Sequence, residues 1–341
     1  MRADRDSVRR KLKIARGQLD GILQMIDDDR YCVDISNQLL ATQSLLKSAN
    51  QQIMRAHIEG CVREALQTDH IDPKLEEAFQ LLERMAQFEL TLLDWAEAHK
   101  GARKYVVFAD KCWPAFPSQF GFEPCYVNSR LASRGIPVAC EVDIYGALSE
   151  YIGACVTGDA VTLLDINNSV PKYIYDEDIT GKFNYKLTDT FMGFHCGNTP
   201  SCKMCSDRAV KYQLIQHRLL EPAGSDPDFT RGTLEGDIAP SDITFYRLQC
   251  DSEGQLRAYI AQGEILPVAT RSFGGIAIFA IPEMGRFYRH VLIQKRYPHH
   301  GAVAFGHYGK TLFEVFKFLG IADIAYNQPK SLPYPTENPF A

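Results

Sequence analysis

Residues 82–113, LERMAQFELTLLDWAEAHKGARKYVVFADKCW, hold the change of pattern on which the fold turns. Up to Ala98 charged and apolar positions mix as in an amphipathic helix. Lys104-Tyr-Val-Val-Phe-Ala109 is then a short apolar run rich in β-branched and aromatic residues, which reads as a buried strand. Upstream the chain is polar helix; downstream, strands and helices alternate. The expected class is therefore multidomain, α plus α/β. A three-helix segment over 1–87, of the kind that forms helical-bundle dimers or tetramers, precedes a parallel α/β sheet over 88–170 and an antiparallel β-rich part over 171–341.

A length of 341 residues exceeds one ordinary domain and leaves ample sequence for cores. The net charge of -5 argues against a generally nucleic-acid-binding surface. Charge is unevenly spread, however: Arg2, Arg5, Arg9, Arg10, Lys11, Lys13 and Arg16 face only Asp4 and Asp6, so the N-terminal end is locally positive. No apolar run approaches the ~20 residues that span a bilayer, and no signal core opens the chain, so a cytoplasmic protein with no membrane partner is expected. The ten cysteines lack the density of a disulfide scaffold and are expected as reduced thiols or ligands.

In the first part, Val8, Leu12, Ala15, Leu19, Ile22, Leu23 and Ile26 recur at three- and four-residue intervals, which predicts a helix over 7–27 that breaks at Asp27-Asp-Asp-Arg30. A second helix is predicted from Cys32 to Leu66. Pro73 suits the first turn of a third, from Lys74 to about Met85. Three such helices cannot enclose a core, so the long second helix is expected to pack against a copy of itself. His57 and Cys61, four apart, share a helix face and can hold one metal ion. Cys32 lies roughly 37 Å away along a straight helix. In an antiparallel pair of helices, Cys32 of one chain comes level with His57 and Cys61 of the other. Two thiolates and an imidazole favour Cu(I), with Zn(II) second. On spacing alone, small core cysteines and an interface histidine remain an equal reading.

Arg16-Gly-Gln-Leu-Asp-Gly21, Tyr31-Cys32, Gln43-Ser-Leu-Leu-Lys-Ser-Ala-Asn50 and His57-Ile-Glu-Gly-Cys61 resemble the copper-sensing CsoR group of the CsoR/RcnR/FrmR repressors. The resemblance covers about Ser7 to Met85. It implies an all-helical dimer of dimers that binds operator DNA without metal and releases it on taking up Cu(I). It implies Cys32, His57 and Cys61 as ligands, with Tyr31 and Glu77 behind them. The nickel, formaldehyde and persulfide branches fit less well, since residue 2 is Arg rather than Pro and His57 is present. DNA contact is expected from Arg9, Arg10, Lys13 and Arg16, with Lys47 and Arg55, as salt-sensitive contacts to phosphates; the alternative is a solvated basic face.

After the seam, strands are predicted at Lys104–Ala109, Ile136–Cys140 and Ala160–Leu164, and helices at Cys125–Ser133 and Ile144–Val156. This order predicts one parallel sheet. Glu141 and Asp165 would each follow a strand and stand at the carboxyl edge, where such sheets bind ligands; two carboxylates there can hold Mn(II) or Mg(II), or divide acid and base roles. Strand-end carboxylates that merely cap the next turn are the competing reading. Farther on, Phe191–Pro200 reads as a glycine-rich turn carrying His195, Ser206–Leu219 as a helix, and Thr244–Cys250 with Gln255–Ile260 as a hairpin around Ser252-Glu-Gly254. Ile276–Ile281 reads as a strand and Lys310–Leu319 as a last helix. Cys202-Lys-Met-Cys205 is a lone C-x-x-C, better read as loop thiols than as a zinc site.

Cys112-Trp-Pro-Ala-Phe116, Val138-Ala-Cys-Glu-Val-Asp-Ile-Tyr-Gly-Ala147, Leu164-Asp165, Gly193-Phe-His-Cys-Gly-Asn-Thr199, Gly263-Glu-Ile-Leu-Pro267 and Pro298-His-His-Gly301 resemble the L-fucose isomerase family and, more distantly, L-arabinose isomerase. The match runs from about Phe88 onward, with 88–98 expected as its first helix. It implies a Mn(II)-dependent ketol-isomerase that interconverts an aldose and a ketose such as L-fucose through an enediol. Glu141, Asp165 and His300 are implied as metal ligands, and Glu141 and Asp165 as the groups that move the proton between C1 and C2. His195 matches a histidine that the arabinose branch adds to the metal site; His299 and His307 are expected to orient their neighbours. Family members carry further α/β domains before the matched part, where this chain has repressor-like helices. The expected whole is a fusion of a Cu(I)-responsive repressor with a shortened isomerase-like region. The alternatives are a working isomerase with a replaced N-terminus and a recombined chain with neither activity.

Overall fold

Asp4 opens the first helix: its carboxylate accepts from the backbone N–H of Asp6 and Ser7, at 3.0 and 3.2 Å, and satisfies two of the donors that a helix start leaves free. Helix α1 then runs Arg5–Asp27 and α2 Cys32–His57, before α3 at Pro73–Lys100. The computed structural model describes residues 3–57, 73–212, 222–225, 232–335, 337, 338 and 340. The chain divides into two units, Met1–Gln87 and Phe88–Ala341. In the first, Val8, Ala15 and Ile22 of α1 are buried at seven-residue spacing. Lys11 Nζ donates to Ser48 Oγ (3.0 Å) and Ser7 Oγ to Gln52 Oε1 (3.2 Å), which ties α1 to α2. Leu12, Leu19, Leu23 and Ile26 of α1, and Leu39 and Leu46 of α2, stay exposed. The second helix was expected to reach Leu66; residues 58–66 lie outside the described residues.

The third helix, expected to end near Met85, and the helix expected over 88–98, almost directly out of it, are one continuous helix, α3. No proline or glycine interrupts residues 74–100. In the second unit, Glu89 of α3 accepts from Arg130 Nε and Arg134, at 2.6 and 2.8 Å. Phe88 packs on Phe116 and Phe122, with ring centroids 4.8 and 6.0 Å apart.

The predicted parallel sheet is only partly realised. Strands β1 (Phe108–Ala109) and β2 (Val138–Ala139) pair in parallel, separated by α4 (Ala115–Phe120) and α5 (Cys125–Ser133). After α6 (Ile144–Thr157), strand β3 (Val161–Asn168) leaves that pair and runs antiparallel between β4 (Thr190–His195) and β10 (His300–Phe305). Strand–helix alternation gave the parallel reading, but β3 is buried on both sides by long-range antiparallel partners that local pattern does not encode. Two further expectations are corrected. Phe191–His195 is strand rather than turn, and β5 (Ala209–Tyr212) replaces the start of the helix expected at Ser206–Leu219, whose last part, from 213, lies outside the described residues.

Past β5 come β6 (Gly232–Asp237), β7 (Ser241–Cys250), β8 (Leu256–Ile265) and β9 (Gly275–Ala280), and after β10, helix α7 (Gly309–Phe318) and β11 (Asp323–Tyr326). The hairpin β7–β8 forms as predicted. Strands pair in the order β8-β7-β10-β3-β4-β9, and β9 returns to β8 through Glu264–Ala280 and Ile265–Phe279, so six antiparallel strands close into a barrel. Alternation along the strands then gives two buried faces. Leu164, Phe191, Phe245, Tyr259, Phe279 and Val303, one from each strand, fill the interior. Leu163, Tyr246, Ala258 and Ala302 face outward under α6 and α7, with Ile152, Leu312 and Phe316. Gly193 and Gly301 make room inside: a Cβ at either would come within 2.3 and 2.2 Å of the Phe279 and Phe245 rings.

Among the described residues no helix is long and apolar enough to cross a membrane.

Candidate metal centre

The outer face of β3 and β10 carries the chemistry. Antiparallel register sets Asp165 directly opposite His300, the cross-strand position in which side chains touch. β4 ends at His195 beside them, the His195 and His300 rings being 5.8 Å apart. The loop from β2 to α6 supplies Glu141, whose Oε2 lies 3.7 Å from His300 Nε2. Among the described residues Asp165 Oδ1, His195 Nε2 and His300 Nε2, all buried, have no hydrogen-bond partner. One ligand atom each from Asp165, His195 and His300 lie within 4.8 Å of one another. His300 Nε2 and Asp165 Oδ1, 3.0 Å apart, are misaligned for a hydrogen bond. Buried polar atoms are paired in nearly every folded protein, so the unpaired Asp165 Oδ1 and His300 Nε2, converging on one point, mark a place that a cation fits. This donor set fits a divalent ion: two carboxylates, Glu141 and Asp165, balance its charge, and oxygen with imidazole nitrogen suits Mn(II) or Mg(II).

Asp143 holds His300 in place. It begins α6, where Oδ1 accepts from Gly146 N–H at 2.8 Å, while Oδ2 accepts from His300 Nδ1 at 2.9 Å. The buried Arg247 of β7 grips both oxygens of Asp143, and its own Nη2 also reaches Gln249 Oε1 at 2.9 Å. Burial works against ionised Asp143, but His300 and Arg247 outweigh it and hold the carboxyl well below the usual range. With Asp143 ionised, Nδ1 of His300 carries the hydrogen and a neutral ring turns its Nε2 lone pair to the cluster. Burial alone would lower the His300 pKa; Asp143 and Asp165 override it and raise it to about 9. Burial likewise opposes ionised Asp165, and His300 and the neighbouring histidines pull it below its ordinary value. His195 differs: its Nδ1 accepts from the Cys196 N–H at 3.0 Å, so in the neutral ring Nε2 carries the hydrogen. Burial holds His195 below its ordinary pKa and favours that neutral ring.

Glu141 and Val142 both sit at positive φ, 63° and 56°. For a β-branched residue this is strained backbone, and such strain is kept where a side chain must be aimed. Glu141 is 51% exposed, and it is the open side of a cluster in which the His300 side chain is 7% exposed.

The structure thus brings four residues singled out from the sequence, Glu141, Asp165, His195 and His300, to one place. One expectation is corrected: Asp165 lies within β3 rather than beyond its end. His299 Nε2 is 3.5 Å from Asp165 Oδ1, and His307 Nε2 is 3.1 Å from the Gly263 carbonyl oxygen. Asp143 and Arg247 were missed. Both left a signal: an aspartate directly before a helix, and a charged residue inside an apolar strand. Cys202 and Cys205 are free thiols.

The expected copper ligands are less fully described. Cys32 is exposed and starts α2, His57 ends it, and Cys61 lies outside the described residues, as does the side chain of His57. Tyr31 and Glu77 are exposed. Arg9, Arg10, Lys13 and Arg16 are all exposed on α1, Arg9 pairing with Asp6 at 3.2 Å. The side chains of Lys47 and Arg55 lie outside the described residues.

Comparison with known proteins bears out both resemblances. Residues 4–84 match the family model "Metal-sensitive transcriptional repressor" and residues 193–326 match "L-fucose isomerase, C-terminal domain". The copper-sensing transcriptional repressor CsoR of Mycobacterium bovis (strain BCG / Pasteur 1173P2) is 42% identical over 67 residues, 20% of this chain and 56% of the repressor. That of Bacillus subtilis (strain 168) is 29% identical over 84 residues, 25% of this chain and 83% of the repressor. Sulfoquinovose isomerase of Clostridium sp. (strain MSTE9) is 26% identical over 183 residues, 51% of this chain but 34% of that enzyme. The chain thus spans about half of the mycobacterial repressors and a third of the isomerase it matches. It joins a repressor-like helical part to an isomerase-like C-terminal part.

Proposed function

We propose that the second unit binds a divalent metal ion, Mn(II) by its donor set, and interconverts an aldose and a ketose. The observation that carries this reading is the convergence of unpaired, buried Asp165 Oδ1 and His300 Nε2 beside the strained, open Glu141. An ion held by Glu141, Asp165 and His300 would supply positive charge beside two neighbouring sugar oxygens. Asp143 and Arg247 fix the His300 ring, and with it the direction of Nε2. Glu141, open to solvent, takes the proton from C2 of the aldose, leaving an enediol. Protonated Glu141 then returns a proton to C1, and Asp165 carries the proton of the C2 hydroxyl to O1, so that the aldose becomes the ketose with no proton gained or lost. His195 donates from Nε2 to the oxygen that gains charge, rather than serving as a ligand. L-Fucose is the first sugar to try, and sulfoquinovose the second, since a matched relative is named for it.

In deuterium oxide with Mn(II), the whole chain is expected to convert a sugar of this set with uptake of solvent deuterium. Conversion should fall at least ~10³-fold in Glu141→Gln, the scale of removing both a ligand and a base. Mn(II) affinity that is the same in Glu141→Gln and His300→Ala as in the parent would sink the reading.

A second function is supported for the first unit: Cu(I)-responsive binding of operator DNA by a homodimer or higher oligomer. Cys32 and His57 at opposite ends of α2, the exposed apolar residues and the exposed basic face of α1 favour it. Cys32 of one copy would meet His57 and Cys61 of another, with Tyr31 and Glu77 near. Arg9, Arg10, Lys13 and Arg16, with Lys47 and Arg55, would contact phosphates.

A further inference from the structure

Beside the isomerase-like centre lies a second cluster of donors, of softer character. β1 and β2 are adjacent parallel strands, and Asp110 and Cys140 are the residues that follow each. Asp110 N–H donates to the Ala139 carbonyl at 2.9 Å and the Asp110 carbonyl accepts from Val142 N–H at 2.8 Å, so the two strand ends are locked together. Cys112 follows two residues after Asp110. Ligand atoms of Asp110, Cys112 and Cys140 all lie within 4.8 Å of one another. Donors around a tetrahedral zinc ion, at ~2.3 Å for sulfur and ~2.0 Å for oxygen, stand roughly 3.5–3.8 Å apart, within that limit. Both thiols are buried and free, Cys140 at 0% exposure.

Two observations separate this cluster from thiols that merely fill space. Asp110 Oδ1 is buried with no hydrogen-bond partner among the described residues, an expensive state for a carboxylate beside two thiols. Its other oxygen, Oδ2, accepts from Asn128 Nδ2 at 2.7 Å, and Asn128 itself is fully buried on α5. One oxygen anchored by an amide and the other left bare is the arrangement by which an outer hydrogen bond aims a ligating carboxylate.

We propose that Asp110 Oδ1, Cys112 Sγ and Cys140 Sγ form a second metal site, distinct from the Asp165–His300 centre, that takes Zn(II). Two thiolates and one carboxylate select a borderline-soft dication over Mn(II) or Mg(II), which prefer oxygen. The thiols lose their protons to solvent as the metal enters, so the ion carries no redox change and needs no oxidant. Zinc here would tie together the ends of β1 and β2 and secure the turn that begins at Cys140 and carries Glu141 and Val142 at positive φ. The argument rests on this cluster alone and stands whether or not the neighbouring centre isomerises sugars.

The test uses the full chain with Cys32→Ala and Cys61→Ala, which removes the thiols of the repressor-like part. Purified under reductant and titrated with Co(II) alone, it should develop the intense near-ultraviolet thiolate-to-cobalt absorption of a site with two sulfurs, displaced by one equivalent of Zn(II). The Asp165–His300 centre offers no sulfur and cannot give this band, so failure of one site is read apart from failure of the other. The band should vanish when Cys112→Ser and Cys140→Ser are combined, and halve in intensity in either alone. Asp110→Asn should keep the band but weaken Zn(II) affinity at least 10-fold. Should the double serine variant lose its far-ultraviolet circular dichroism, the single variants and Asp110→Asn decide. A band unchanged in these variants overturns the proposal, as does its absence in the parent. So does a parent mass reduced by two hydrogens with Cys112 and Cys140 joined in one peptide, because the pair would then be a disulfide.

Discussion

Cys32 and His57 lie at opposite ends of one helix, whereas Asp165 and His300 lie directly opposite one another on neighbouring strands. The first pair is only 25 positions apart in sequence and yet roughly 37 Å apart in space, because a helix advances ~1.5 Å per residue along a rigid axis. The second pair is far more distant in sequence and its nitrogen and oxygen are 3.0 Å apart. On the proposed readings, a helix spreads its ligands and needs a second copy to gather them, while antiparallel register gathers ligands from across one chain. The same contrast shows in the apolar residues. Those of α1 and α2 are left partly exposed, whereas the barrel covers both faces of its strands.

Mixing chains tests that contrast with the largest effect. Under the copper reading, Cys32→Ala and a His57→Ala, Cys61→Ala variant should each lose Cu(I) affinity by at least ~10³-fold, having lost thiolate ligands. Mixed dimers should recover half the sites, as one pairing of ends is then intact. The corresponding mixture of Asp165→Ala and His300→Ala chains should recover no Mn(II) sites, since both ligands come from one chain. Recovery there would mean that the barrel site, too, is shared. Copper binding kept by the His57→Ala, Cys61→Ala chain alone would overturn the ligand set itself.

Within the barrel, His195→Gln should separate donation from ligation. We expect kcat for sugar conversion to fall ~10²-fold, the scale of removing one donor to developing charge. Mn(II) affinity should stay within about twofold, as no ligand is lost. A matching loss of affinity, measured by calorimetry, would make His195 a ligand after all.

The protonation of His300 gives a smaller effect. Its pKa in the metal-free site is raised to about 9, so at neutral pH the proton competes with the metal for Nε2. Affinity for Mn(II) should therefore rise with pH, approaching tenfold per unit below pH ~9 and levelling above it. In Arg247→Met the pull of Asp143 on His300 changes, and the levelling point should move. A profile that is flat from neutral pH to 9 would place the metal elsewhere.

Smallest is the packing effect. Gly301→Ala places a Cβ 2.2 Å from the Phe245 ring and should destabilise the second unit by about 1–3 kcal/mol through overpacking, read by chemical denaturation. The adjacent His300 would shift with its strand. Gly21→Ala on α1, where a Cβ meets nothing within 4 Å, should instead be neutral or stabilising by up to ~1 kcal/mol.

How much of this was legible in the sequence follows from the range of each interaction. Helices α1, α5 and α6 and the β7–β8 hairpin came within a few residues of their predicted spans, because period, caps and turn residues act locally. The partnering of β3 did not. Its alternating apolar residues suit a parallel or an antiparallel neighbour alike, and nothing local names β10 as that neighbour. The helix across 85–88 was legible for the same local reason as the others: no helix breaker stands there, and α3 runs unbroken.

By itself, then, the sequence supplied two candidate sets of donors: two thiols and an imidazole in the helical part, and carboxylates with histidines in or beside the strands of the other. Only tertiary structure decided which groups share a site. The pairing of β3 with β10 in the barrel set Asp165 against His300, with Arg247 and Asp143 orienting the ring, and the separate parallel pairing of β1 with β2 placed Cys140 beside Asp110 and Cys112. Ligand type is a property of the residue and can be read one position at a time. Ligand geometry is a property of register, which is fixed by burying both faces of the strands together and so belongs to the whole barrel.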